Sequence, residues 1–373
     1  MVENNLHSTS LQRFARVLVE YSTNVHSGDE VAIVSSTVAE PLLQLLYAEV
    51  LDHGGHPNLL LNIADQEEIF FRHASPVQLD RTPILHQIVF EQFDVLIKVR
   101  AETNTRALSK IDPVLQARRQ KAMAPTLAAQ LRRGAEGSLR WVSTLYPTNA
   151  QAIEAEMGYL EYQEFVYHAC HVDGQADPVA YWQKVKIEQE KIVGHIEGHN
   201  QVHLRGPNVD LSLSIKGRKF FNACGQHNMP DGEIYTGPVE DSANGWVHFT
   251  YPAVYCGRVV EGVELTFKDG KVVNARADKY EDFLMQMLNS DAGARYLGEF
   301  AIGTNHEINR STHNILFDEK IGGSFHLALG AGYPETGALN QSMIHWDMIC
   351  DIKTDSEIVV DGEMIYQNGA FVT

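Results

Sequence analysis

Cysteine is scarce and scattered in this sequence: four in 373 residues, at Cys170, Cys224, Cys256 and Cys350, with no C-x-x-C pair. Such spacing excludes a disulfide framework and a thiolate zinc site, and it reads as reduced, cytosolic usage. Basic residues are also in deficit, with 30 Lys and Arg against 48 Asp and Glu and a formal net charge of −18. Binding to nucleic acid or an anionic membrane surface rests on clustered basic side chains, so neither partner is expected. No run of about 18 uninterrupted apolar residues occurs, which excludes a membrane-spanning helix. The polar stretch Met1 to Ser10 carries no secretory signal, in keeping with a cytoplasmic location. No strand is followed by G-x-G-x-x-G, and G-x-x-x-x-G-K-[ST] is absent, so dinucleotide binding and P-loop chemistry are both disfavoured.

What is present is a 44% apolar chain of a length that favours two cores. In the first part, apolar residues Phe14, Val17, Leu18 and Tyr21 mark an amphipathic helix. Short apolar runs at Val31–Val34, Leu59–Ile63, Asp94–Val99 and Arg140–Leu145 then alternate with helical segments at Glu40–Leu51 and Pro113–Leu131. Strand, helix, strand is the βαβ pattern, and it predicts an open, mostly parallel sheet. After a charged helix from Pro178 to about Glu197, strands are predicted at Val202–Leu204, Asp210–Ile215, Val259–Lys268 and Lys271–Ala277. Asp269-Gly270, Asp361-Gly362 and Asn368-Gly369 are hairpin turns. The expected organisation is an α/β domain over residues 1–200 and a β-rich α+β domain over 201–373.

The candidate chemistry lies mostly in the second domain. His345 and Asp347 are two apart in an apolar stretch, so an extended backbone points both to one face, where they form a ligand pair or a salt bridge. His326 sits inside Ser324–Gly330 and Glu299 inside Leu297–Gly303, both otherwise apolar. A lone ionised Glu there must neutralise, pair or bind a metal, and a lone His is commonly a hydrogen-bonded core residue. Glu233 follows the turn Asn228–Gly232, and Tyr333 stands on a glycine-rich loop seven residues after His326. Together these carboxylates and imidazoles suit a two-metal hydrolytic centre for Zn, Co, Mn or Mg. Other clusters are weaker. In His195–His199 the glutamate is misplaced for H-E-x-x-H, and a polar helix end accounts for it; His168 and His171 flank Cys170 without a second ligand pair.

The stretches NMPDGEIYTGPVEDSANG from Asn228, LGEFAIGTN from Leu297, ILFDEKIGGSFHLALGAGYPETG from Ile315 and SMIHWD from Ser342 resemble the thermophilic metallo-aminopeptidase family that includes aminopeptidases T and S. The resemblance is specific over roughly residues 200–350 and compatible elsewhere. It implies that Glu233, Glu299, His326, His345 and Asp347 ligate two divalent metals with Glu299 shared, and that Tyr333 is a catalytic tyrosine. It also implies short peptides as substrates and a homodimer. Either Glu233 or Glu299 would move the proton from water to the leaving amine. Glu240 and Asp241 are candidates to meet the substrate α-ammonium, or are solvated turn carboxylates. The short loop between Tyr333 and His345, and Asp351 after the last ligand, depart from the family pattern and bear on substrate preference. Two other readings of the same residues stay open: a metallohydrolase of another amide or ester, and a non-catalytic α/β binding protein with buried salt bridges.

Overall fold

The computed structural model describes residues 2–174 and 176–372, with side chains described from residue 9 onward. Two units are present. The first runs to Gln183 and takes in Gly225–Pro230; the second comprises Lys184–Cys224 and the chain from Asp231 on.

In the first unit, segments rich in aliphatic and β-branched residues form a parallel sheet. Its strands lie in the spatial order His56–Asn62, Glu30–Ser36, Val95–Arg100, Arg140–Leu145, and the short Asn228–Met229 pairs with the last, also parallel. Val31, Ala32, Ile33, Val95, Leu96 and Ile97 of two inner strands are all buried, as a parallel sheet covered by helices on both faces requires. Helices Glu40–Asp52 and Pro113–Ala135 are where the apolar periodicity places them. Three short helices, Gln66–His73, Pro76–Leu79 and Ile84–Gln92, fill a span with no predicted element. The first of them buries none of its residues, so it has no apolar stripe for the sequence to display.

The second unit is antiparallel and β-rich. An eight-stranded sheet contains, among others, Gln201–Gly206, Val209–Ser214, Asn244–His248 and the C-terminal strands. A five-stranded sheet has the order His345–Asp351, Ser324–Gly330, Leu297–Gly303, Glu233–Thr236, Phe221–Ala223. The predicted hairpins form as written: Asp269/Gly270, Asp361/Gly362 and Asn368/Gly369 have φ of 49°/78°, 47°/91° and 48°/88°, the left-handed pair of a type I′ turn. One expected strand is two. Val259–Lys268 divides into Arg258–Val260, which pairs with Ala253–Tyr255, and Glu264–Lys268, which joins the larger sheet. The break falls at Gly262, whose φ of +65° no strand residue adopts.

Candidate metal centre

The five-stranded sheet sorts its residues by alternation. Ile234, Phe300, Ile302, Phe325, Leu327, Trp346 and Met348 point into one hydrophobic core. Their neighbours Glu233, Glu299, His326, His345 and Asp347 therefore point to the opposite face. Register brings them together. His326 lies opposite Ala301, Asp347 opposite Ala328, Glu233 opposite Gly303 and His345 opposite Gly330, so small residues leave room between the polar side chains.

Glu299 reaches this face through an irregularity. Unbroken alternation would put it on the same side as Leu297, which is in the core. The register shifts between Leu297 and Glu299, so that Leu297 pairs with Leu329 and Glu299 with Ala328; Gly298 is the inserted residue. A bulge of this kind re-aims every side chain after it. Gly298 also has no space for a Cβ, which would collide with the carbonyl of Ala331.

Two ligand triads result, Glu233–Glu299–His326 and Glu299–His345–Asp347, and in each the donor atoms lie within 4.8 Å of one another. Glu299 belongs to both. His326 Nε2 is 3.4 Å from Glu233 Oε2 and 3.8 Å from Glu299 Oε1. His345 Nε2 is 3.3 Å from Glu299 Oε2 and 3.4 Å from Asp347 Oδ1. The His345 ring is fixed from behind, because its Nδ1 donates to the Ala331 carbonyl at 2.8 Å. That leaves Nε2 for the carboxylates or for a cation, the usual second-shell arrangement of a histidine ligand.

The electrostatics are those of a cation site. Burial drives the Glu233 carboxyl well above its ordinary range, against the pull of Lys320. Burial pushes Glu299 up as well, but hydrogen bonding to His326 and His345 brings it below its usual value. Asp347 is likewise raised by burial and then held down to about 2 by His345. Burial lowers both histidines, and the carboxylates reverse this, lifting His326 to about 9 and His345 to about 12. The field that holds protons on these imidazoles is the field that would hold cations in their place.

The donor set also fits two divalent ions by charge and by satisfaction. Asp231, Glu233, Glu299, Glu319 and Asp347 supply five carboxylates around this point, and the fully buried Lys320 supplies one ammonium. With neutral imidazoles the balance is four negative charges, which two divalent cations match. Three buried atoms, Glu233 Oε2, His326 Nδ1 and Asp347 Oδ1, have no hydrogen-bond partner, and two of them belong to carboxylates that a cation would satisfy.

Lys320, Glu319 and Asp231 were not legible in the sequence. Lys320 Nζ contacts Glu319, lies 3.7 Å from Glu233 Oε1 and 4.0 Å from Asp231 Oδ1, and its ammonium is held charged by these carboxylates against the cost of burial. The only signal for Glu319 and Lys320 is a charged D-E-K triplet three residues before the apolar strand Ser324–Gly330.

Tyr333 stands at the open side of the cluster. Its ring centroid is 5.2 Å from that of His345 and 5.6 Å from that of Tyr235, and 41% of the residue is exposed. His345 is the more accessible histidine, 28% exposed at the side chain against 1% for His326. Burial first, then Glu299 and Asp347, raise the phenol well above its ordinary value, so it keeps its proton.

The other sequence candidates are engaged elsewhere. Glu240 accepts from Arg218 Nη2 at 2.6 Å and from the Leu339 amide at 2.6 Å. His195 is in the last turn of its helix, 3.3 Å from Glu363, and His199 lies beyond the helix end with its ring on the Ile196 carbonyl. His168 pairs with Asp173, and His171 stacks on Tyr181 at 3.6 Å. None of the four cysteines forms a disulfide. Among the described residues no helix is long and apolar enough to cross a membrane.

The sequence profile of the thermophilic metalloprotease (M29) family matches residues 7–371. Aminopeptidase 2 of Geobacillus stearothermophilus is 27% identical over 411 aligned residues, spanning 98% of each chain. Aminopeptidase T of Thermus thermophilus is 27% identical over 96% of this chain and 95% of its own. The solved structure of wild-type AmpT from Thermus thermophilus superposes with a TM-score of 0.86 at 23% identity, covering 98% of this chain and 99% of that one, which shows a common fold.

Proposed function

Since this chain belongs to the thermophilic metalloprotease (M29) family, we propose that it is an aminopeptidase releasing N-terminal residues from short peptides. In this reading Glu233, Glu299 and His326 hold one divalent cation, and Glu299, His345 and Asp347 hold a second. The observation that carries it is the shared carboxylate: two triads meet at the buried Glu299, the arrangement a dinuclear hydrolytic centre needs. When bound, such a pair of cations supplies an activated water and polarises the scissile carbonyl.

The protein's own residues do the rest. Tyr333, kept protonated and placed at the exposed rim, donates to the oxyanion that develops on the scissile carbonyl. Glu233 or Glu299 accepts the proton of the attacking water and returns it to the leaving amine. Lys320 orients Glu233 and Glu319 from within the core. The acidic surface of a chain with net charge −18 favours approach of the cationic N-terminus of a peptide. Zn, Co, Mn or Mg all suit this oxygen and imidazole set. The scattered cysteine spacing supports a cytoplasmic location, and the family resemblance a homodimer.

Metal content per chain tests the assignment. Two equivalents are expected for the parent and a deficit for Glu299→Gln, with peptide hydrolysis lost in proportion. Two full equivalents in Glu299→Gln with unchanged hydrolysis would overturn it.

A further inference from the structure

The first unit contains a feature that peptide hydrolysis at the metal centre does not use. A cavity of about 510 Å3 opens at the carboxyl ends of its parallel strands, lined by Ser36, Asn62 and Arg100, the last residues of the first, second and third strands. Its volume is in the range of clefts that take small molecules, about 300–1,000 Å3. Its position is not arbitrary. The spatial order places Glu30–Ser36 between His56–Asn62 and Val95–Arg100, so chain connections leave the first strand on one side and the third on the other. In open α/β sheets, ligands bind in the crevice outside the strand ends at such a reversal.

The lining carries both signs of charge. Lys98 and Arg100 are two apart on one strand, so they share a face. Lys98 is half-buried, its ammonium donating to Gln130 Oε1 at 2.5 Å and lying 4.9 Å over the Phe90 ring, and burial, then the neighbouring Arg100, lowers it to about 8. Arg100 is exposed, and among the described residues its guanidinium makes no hydrogen bond or ion pair. Glu102, two residues beyond Arg100, also lines the cavity, and its carboxylate is taken up by Gln151 Nε2 at 2.7 Å, so it does not pair with the Arg100 guanidinium. Asp65, Glu67 and Glu68, on the segment that follows the second strand, add carboxylates to the lining. These would oppose a simple anion, as Lys98 and Arg100 would oppose a simple cation. A ligand carrying a carboxylate and an ammonium satisfies both walls.

We propose that this cavity is a second binding site, for a small zwitterion of the α-amino acid class, with the ligand carboxylate on Lys98 and Arg100 and its ammonium toward Asp65 and Glu67. The ligand class follows from the charges of the lining. That the ligand would also be a product of the protein's own reaction, making this a product-sensing site, rests on the aminopeptidase reading.

Hydrogen exchange of the full, metal-loaded chain locates binding directly. L-leucine is expected to slow exchange in segments 62–68 and 100–107. N-acetyl-L-leucine, which lacks the ammonium, should need at least tenfold higher concentration for the same protection, and inorganic phosphate should give none. Arg100→Gln, at an exposed position that spares the core, should raise the half-protecting concentration of L-leucine at least tenfold while peptide hydrolysis stays at the parental rate. Lys98→Met should do the same. Absence of protection at these segments, protection confined to 297–303 and 345–351, or equal protection in Arg100→Gln would each overturn the proposal. Phosphate protecting as well as L-leucine would overturn the zwitterion and leave an anion site instead. Failure of the parent to hydrolyse peptides with metal present would count against the aminopeptidase reading and not against this site.

Discussion

Replacing Gly298 by alanine separates the backbone geometry of the centre from its ligands. The added Cβ would collide with the Ala331 carbonyl and lie 2.5 Å from that of Gly330; real Cβ contacts do not fall under 3.0 Å, so this backbone must retreat by at least half an ångström. The Ala331 carbonyl is the acceptor that fixes the His345 ring through Nδ1 at 2.8 Å. Loss of such an outer-shell partner costs about 10- to 100-fold in metal affinity, or about 1.4–2.8 kcal/mol. Overpacking adds about 1–3 kcal/mol of destabilisation. For a unit of this size that is roughly 2–12 °C in Tm. The assay is metal affinity by competition with a chromophoric chelator, alongside thermal melting by circular dichroism. Gly194→Ala is the control, since nothing lies within 4 Å of its Cβ position. A Gly298→Ala protein that binds metal within twofold of the parent would refute the claim that Ala331 and His345 act together.

Other expectations follow from the same geometry. Removing metal with a chelator leaves the carboxylates around Lys320 under-compensated, so Tm should fall; ions present at 1,000 times Kd contribute about 4 kcal/mol, and a chelator-insensitive melt would contradict the charge balance. Tyr333→Phe should lower kcat about 100- to 1,000-fold with metal content and KM retained, whereas a rise in KM alone would make the tyrosine a binding residue. Lys320→Met removes one partner from a buried ionic cluster and should destabilise by about 3–5 kcal/mol in chemical denaturation; a neutral result would show that Glu233 and Glu319 are held without it. Lys98 has a folded-state pKa of about 8, below its ordinary 10.5, so the unfolded chain binds more protons between those values and stability gains from rising pH. The stability advantage of Lys98→Met over the parent should therefore shrink by up to about 3 kcal/mol from pH 8 to 10.5, and a pH-independent difference would contradict the burial of this ammonium.

The elements that carry the site were legible because their signals are local. Ser324–Gly330 and Leu297–Gly303 read as strands from composition, and period-two alternation alone places His345 with Asp347 and opposite Trp346. The D-G and N-G turns declared themselves because each needs two left-handed residues. The side of the sheet that Glu299 occupies was not legible, since it depends on a bulge at Gly298 that answers to contact with Ala331, a residue more than thirty positions away. Lys320, Glu319 and Asp231 escaped for a related reason. A buried lysine looks like a surface lysine in sequence, and only the fold shows that carboxylates surround it. Glu240 illustrates the converse: a glutamate beside the ligand motif looked available for a substrate ammonium, yet Arg218 and the Leu339 amide occupy it.

The central claim is metal-dependent removal of single residues from a free N-terminus, and one experiment meets it head-on. Chelator-stripped protein is offered matched peptides with free and acetylated N-termini, with and without Co2+, Zn2+, Mn2+ or Mg2+, and the products are identified by mass. Release of single N-terminal residues is expected from the free peptides only, restored by metal and abolished by acetylation. Cleavage of the acetylated peptides, or of free peptides in the absence of any metal, would contradict it.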